Sequence, residues 1–185
     1  MKICKIVVTG LLLCAVPISA SAMGQAALVS RGHTSMLMTD EVRHQLVMIP
    51  NYGVFDWLEA EARPDNSVVL RGYVTRPSTK TEAENRLKRL ESVGKVINEI
   101  EVLPVSPSDD AIRIATYRAM FNYDSPVFRY ALMAIPPIHI IVNNGRVTLK
   151  GTVGSEMDQQ LVYTAARQVP GVFEVKNELK IDKES

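Results

Sequence analysis

The chain has 185 residues, 46% of them hydrophobic, with 21 lysines and arginines against 20 aspartates and glutamates and a formal net charge of +1. That length allows one ordinary domain or two small ones, and the balanced charge offers none of the basic excess that nucleic-acid binding needs. Both cysteines, Cys4 and Cys14, lie at the extreme N-terminus, which leaves the remainder without disulfide, thiol or cysteine–metal chemistry.

Residues 1–22 read as a cleavable signal peptide. Lys2 and Lys5 make a positive start, Ile6 to Val16 is an apolar run too short for a stable membrane span, and Ala20-Ser21-Ala22 supplies a small-residue cleavage site. Cleavage before Met23 removes both cysteines and two lysines, giving an exported mature chain of formal charge −1. A lipoprotein signal ending at Cys14 is the rival, and the bulky Leu13 stands against it. Residues 23–38 have no sustained period and read as a flexible lead-in.

A first unit is predicted over 39–103. Thr39 caps a short helix with Val42, Leu46 and Ile49 on one face, which Pro50 ends. Phe55 to Arg63 alternates, with Leu58, Ala60 and Ala62 facing one way; Pro64-Asp65-Asn66 turns the chain into a strand at Val68 to Val74. A helix follows from Pro77 to Ser92, with Thr79 and Glu82 as a capping box and Ala83, Leu87 and Leu90 as its stripe. Val96, Asn98, Ile100 and Val102 share the inner face of a closing strand.

Residues 104–108 are a stiff, proline-bounded linker to a second unit over 109–182. Ser108 or Asp109 caps a helix to about Asn122, and Val127 to Ile135 gives another helical turn or two. Ile138 to Val142 is a continuous apolar strand, Asn143-Asn144-Gly145 a hairpin turn, and Val147 to Val153 its partner strand. Ser155 caps a helix to about Gln168 with Asp158 at the capping-box position, and Phe173, Val175, Asn177, Leu179 and Ile181 line a last strand.

The two units are copies. Val68-Val69-Leu70-Arg71-Gly72-Tyr73-Val74 returns as Val147-Thr148-Leu149-Lys150-Gly151-Thr152-Val153, and Asn98-Glu99-Ile100 as Asn177-Glu178-Leu179, all with one ungapped offset of 79. Each copy therefore reads α-β-β-α-β: an antiparallel hairpin, a right-handed crossover and a third strand parallel to the second, giving a mixed three-stranded sheet with helices on one face and an α+β class. Gly72 and Gly151 fall on the apolar face, where a missing side chain lets something pack close, the following helix being the expected neighbour. Asn98 and Asn177 fall on inner faces, where a buried amide must be hydrogen-bonded; fixing a neighbouring loop is the expectation.

This plan resembles the BON-domain family, most specifically at Asn144-Gly145-Arg146-Val147-Thr148-Leu149-Lys150-Gly151 with Gly171-Val172 and Asn177-Glu178-Leu179. The first copy lacks the Asn-Gly turn and the Pro-Gly before its last strand, and the second has the extra segment Tyr123 to Pro136. The resemblance implies a periplasmic or envelope protein that binds phospholipid surfaces and supports envelope integrity under osmotic or related stress. Related small folds build secretion-channel rings, so an interaction module for an envelope protein is the alternative, using a sheet edge or Phe55 and Trp57.

No catalytic constellation is legible, and neither a cofactor, a metal site nor a small-molecule substrate is expected. His33, His44 and His139 belong to different elements, and His139, in an apolar strand, reads as a hydrogen-bonded structural residue. Asp109 and Asp110 read as a helix cap and its dipole partners rather than as paired acids. One stretch has binding character: Arg113, Arg118 and Arg129 stand among Tyr117, Phe121, Tyr123, Phe128 and Tyr130. Arginine among interfacial aromatics suits an anionic membrane surface or a protein partner, and core packing against the other unit is the competing reading.

Overall fold

The computed structural model describes residues 40–133 and 136–182. The signal-peptide and lead-in readings lie outside them. Helix α1 covers 40–47; then come β1 (Trp57–Ala62), β2 (Ser67–Val74), α2 (Pro77–Leu87) and β3 (Lys95–Val102). The second copy comprises α3 (Pro107–Met120), α4 (Phe128–Ala131), β4 (Ile138–Asn143), β5 (Arg146–Val153), α5 (Glu156–Arg167) and β6 (Glu174–Ile181).

Two three-stranded sheets result, ordered β1-β2-β3 and β4-β5-β6. In each the hairpin is antiparallel and the last strand parallel, with Leu70 opposite Asn98 and Leu149 opposite Asn177. Both lie within one compact unit. Val42, Leu46, Val68, Leu70, Ala83, Leu87 and Ile100 build the first core, and Ile112, Met120, Ile140, Leu149, Val162 and Leu179 anchor the second. The Asn144-Gly145 turn takes φ of 50° and 73°, as a two-residue hairpin requires.

Several local expectations change. Gly72 and Gly151 do give way to a close neighbour, but that neighbour is backbone of the adjacent strand rather than a helix. At φ of 133° and 116°, a Cβ there would sit 1.9 Å from the carbonyl oxygens of Trp57 and Pro137. Helix α2 stops at Leu87 and has no side-chain cap: Pro77 opens it and Thr79 is buried. Ser106, not Ser108 or Asp109, caps α3, its hydroxyl accepting the Asp109 N–H at 3.2 Å. That frees the buried Asp109 carboxylate to accept the Asn144 and Gly145 N–H groups, each at 2.9 Å, and so to hold the second hairpin turn. Phe173 precedes β6 and is 83% exposed instead of lining the inner face.

The copies also share material. Tyr52 to Asp56 runs beside β4, where the Ile140 N–H donates to the Val54 carbonyl at 2.8 Å, and Val54 and Phe55 pack against the second core.

Candidate functional site

The arginine–aromatic stretch divides into a buried half and an exposed tip. Arg113 is inside, on the same face of α3 as Ile112 and Thr116, and donates to the Val142 carbonyl at 2.8 Å and to Asp110. Phe121 and Tyr130 belong to the second core; Tyr117 packs on Phe121 at 4.9 Å and on Phe55 at 6.3 Å. The Tyr130 hydroxyl donates to Asp158 at 2.9 Å and accepts the Gly154 N–H at 2.8 Å. Asp158, at the third position of α5, also accepts from the Ser155 hydroxyl at 2.9 Å and from Arg129 at 2.5 Å. That carboxylate is a clamp joining α4 to the start of α5.

Outside the clamp the second copy's inserted segment is open. Tyr123 is 86% exposed and tilts onto the half-buried Phe128 at 4.5 Å between ring centres. Leu132 and Met133, at the end of α4, are 72% and 52% exposed, and Met157, next to the clamp, is exposed too. Arg118, on α3, and Arg129, in the clamp, are exposed as well. Leu132, Met133 and Met157 escaped the sequence reading; the available signal was that Met157 lies off the buried Asp158, Val162, Ala166 stripe of its helix.

Between the sheets lies a cleft of about 780 Å³, lined by Arg43 and Val47 of α1, by Trp57 to Glu61 of β1, and by Lys150, Glu178 and Lys180 opposite. Lys150 sits over the Trp57 ring at 5.7 Å and pairs with Glu178 at 2.8 Å. Lys150, then Lys176, holds the Glu178 carboxyl below its usual range. Behind Trp57, His139 is buried against the Trp57 and Tyr52 rings at 5.0 and 5.6 Å. Its Nδ1 and the Trp57 Nε1 have no hydrogen-bond partner, while backbone groups of Asp56, Gly53 and Pro136 act on the imidazole as hydrogen-bond partners. Burial pushes the His139 imidazole down from its ordinary value and the Tyr52 hydroxyl up to about 12. Phe55 is half-buried against the second core, and Trp57 is half-buried in the wall of the cleft. His44 is exposed, and His33 lies outside the described residues.

Asn98 and Asn177 serve strands and a helix rather than loops. Each accepts the N–H two residues on in its own strand, Ile100 at 3.2 Å and Leu179 at 3.1 Å. The matching carbonyls are taken by α2 and α5: Lys80 donates to Ile100 and Gln159 to Leu179, both at 2.7 Å. Lys80 and Gln159 are themselves 79 positions apart. Among the described residues no His/Cys/Asp/Glu cluster could hold a metal, and no helix is long and apolar enough to cross a membrane.

The sequence model of the BON domain matches residues 55–104 and 128–183. No match among curated proteins reaches significance. Two solved structures of CdsD, a structural protein of the type III secretion system of Chlamydia trachomatis, show limited similarity. One is 12% identical over 78% of this chain and 93% of that one, with a TM-score of 0.29. The other, a C-terminal domain, is 13% identical over 77% and 96%, with a TM-score of 0.27. At those TM-scores the likeness carries no argument.

Proposed function

The chain belongs to the BON-domain family, and from that premise we propose that it is a non-enzymatic, periplasmic envelope protein that associates peripherally with phospholipid surfaces. Its physiological role in this reading is envelope integrity under osmotic or related stress. The observation that carries the proposal is the exposed tip of the second copy, where Tyr123, Leu132 and Met133 are uncovered in the same inserted stretch as the exposed Arg129, with Arg118 exposed on the preceding helix. Apolar side chains that enter the headgroup region gain up to about 1.5–3 kcal/mol each when fully buried, and each nearby arginine adds about 1 kcal/mol on an anionic leaflet. With a formal charge near zero, the attraction is local and screened by salt.

Co-sedimentation with vesicles tests this. The full chain is expected to bind phosphatidylglycerol-containing vesicles at low salt, weakly at high salt, and phosphatidylcholine vesicles least. Replacing Tyr123, Leu132 and Met133 with serine should abolish binding without shifting the urea midpoint, and Arg118→Glu should weaken it several-fold. Wild-type protein left in the supernatant under all conditions sinks the reading. Phe121 is unsuitable for this test, because its loss would report on the core.

A further inference from the structure

The two sheets have four edge strands, and the structure treats three of them alike. On β3 and β6 the outward N–H and C=O of Ile100 and Leu179 are occupied by Asn98 with Lys80 and by Asn177 with Gln159. On β4 the outward Ile140 N–H is taken by Val54 and the Val142 carbonyl by Arg113. Such devices blunt edges that would otherwise pair with another chain.

The fourth edge is β1. The Arg63 N–H to Ser67 carbonyl bond fixes the alternation of the first hairpin, so Glu59 and Glu61 bond to β2 while Ala60 and Ala62 turn their backbone groups outward. Ala60 corresponds to Ile140, since Glu59 faces Arg71 as His139 faces Lys150, its 79-residue counterpart. Among the described residues, nothing fills for Ala60 the place that Val54 fills for Ile140. Arg43, on α1 beside it, is exposed and makes no ion pair among those residues, unlike the buried Arg113. Ala60 and Arg43 both line the cleft.

We propose that the β1 edge is a docking site for an extended segment of a partner protein, which adds as a fourth strand in the cleft. The chain supplies the precedent itself: Val54-Phe55 binds the equivalent edge of β4 by one main-chain bond and an apolar pair. Partner chemistry follows from the pleat. Leu58, Ala60 and Ala62 face the core, so side chains beside them are small and apolar; on the other face Glu61 is already paired with Arg71 at 2.6 Å, which leaves Glu59 to favour a lysine or arginine across from it. A second copy of this chain paired through β1 is disfavoured, because it would set Glu59 and Glu61 against their own kind. Main-chain bonds give such sites affinity and alternate side chains give specificity.

The test uses the full chain and a blocked octapeptide alternating valine and lysine, with a valine–glutamate peptide as control. Amide shifts at Ala60 and Ala62, with at least tenfold weaker binding of the glutamate peptide, are expected. Ala60→Pro removes an N–H that β2 does not use and should abolish binding. Glu59→Lys, on an exposed side chain, should reverse the preference between the peptides. No binding of either peptide, binding that Ala60→Pro and Glu59→Lys leave unchanged, shifts confined to β3 or β6, or β1-mediated dimerisation in the absence of peptide would each overturn the proposal.

Discussion

A glycine on the apolar face of a strand is costly unless something needs the space, and at Gly72 and Gly151 that something is a carbonyl oxygen of the antiparallel neighbour. Both residues combine a positive φ with contact that no Cβ could tolerate. Gly151→Ala should therefore destabilise the protein by at least about 2 kcal/mol, read as a fall in the urea midpoint, with Gly72→Ala behaving alike. An unchanged midpoint would mean the hairpin relaxes more easily than this geometry allows. The need for glycine was legible from its place on the apolar face and its recurrence. The occupant was not, because sequence periodicity describes one strand and says nothing of the backbone laid across it. Asp109 is similar: its position at a helix start was visible, while its carboxylate's reach to Asn144 and Gly145 depends on Ser106 having already capped the helix.

At the scale of elements, the repeated asparagine explains itself once its strand is seen as an edge. Asn177→Ala frees the Leu179 N–H and should cost about 1 kcal/mol. Asn98→Ala should cost more, since that amide also donates to the Lys80 carbonyl at 3.2 Å and to Glu84 at 2.9 Å. Both variants should form larger species in concentration-dependent sedimentation; monomers at every concentration would show that the asparagines do not protect the edges. The α-β-β-α-β order and the parallel third strand followed from turn signals and the 79-residue offset. Helix ends followed less well: α2 lacks the capping box that Thr79 and Glu82 spell, because Thr79 is drawn into the core. The arginine–aromatic stretch was recognisable as unusual, yet composition could not sort Arg113, Phe121 and Tyr130, which face inward, from Tyr123 and Arg118, which do not.

For the whole molecule, the joint between the copies is where pH should act. His139 is buried between Tyr52 and Trp57, directly opposite Lys150 in the ladder, with Asp56 as the nearby carboxylate drawing the other way. Its folded value lies below the ordinary 6.5, so the unfolded chain binds more protons in the interval between them. Stability from this group is full above about pH 6.5 and falls as pH drops through the folded value. The melting temperature should decline from pH 7.5 to pH 5, and His139→Phe should flatten that slope; equal slopes for the two proteins would remove His139 as the cause.

Synthesis delivers the chain from its N-terminus, so the Tyr52 to Asp56 segment exists before any residue of β4 does. Covering the first edge of the second sheet therefore asks nothing of residues still to be made: its partner, the Val54 carbonyl, lies upstream of the whole second copy.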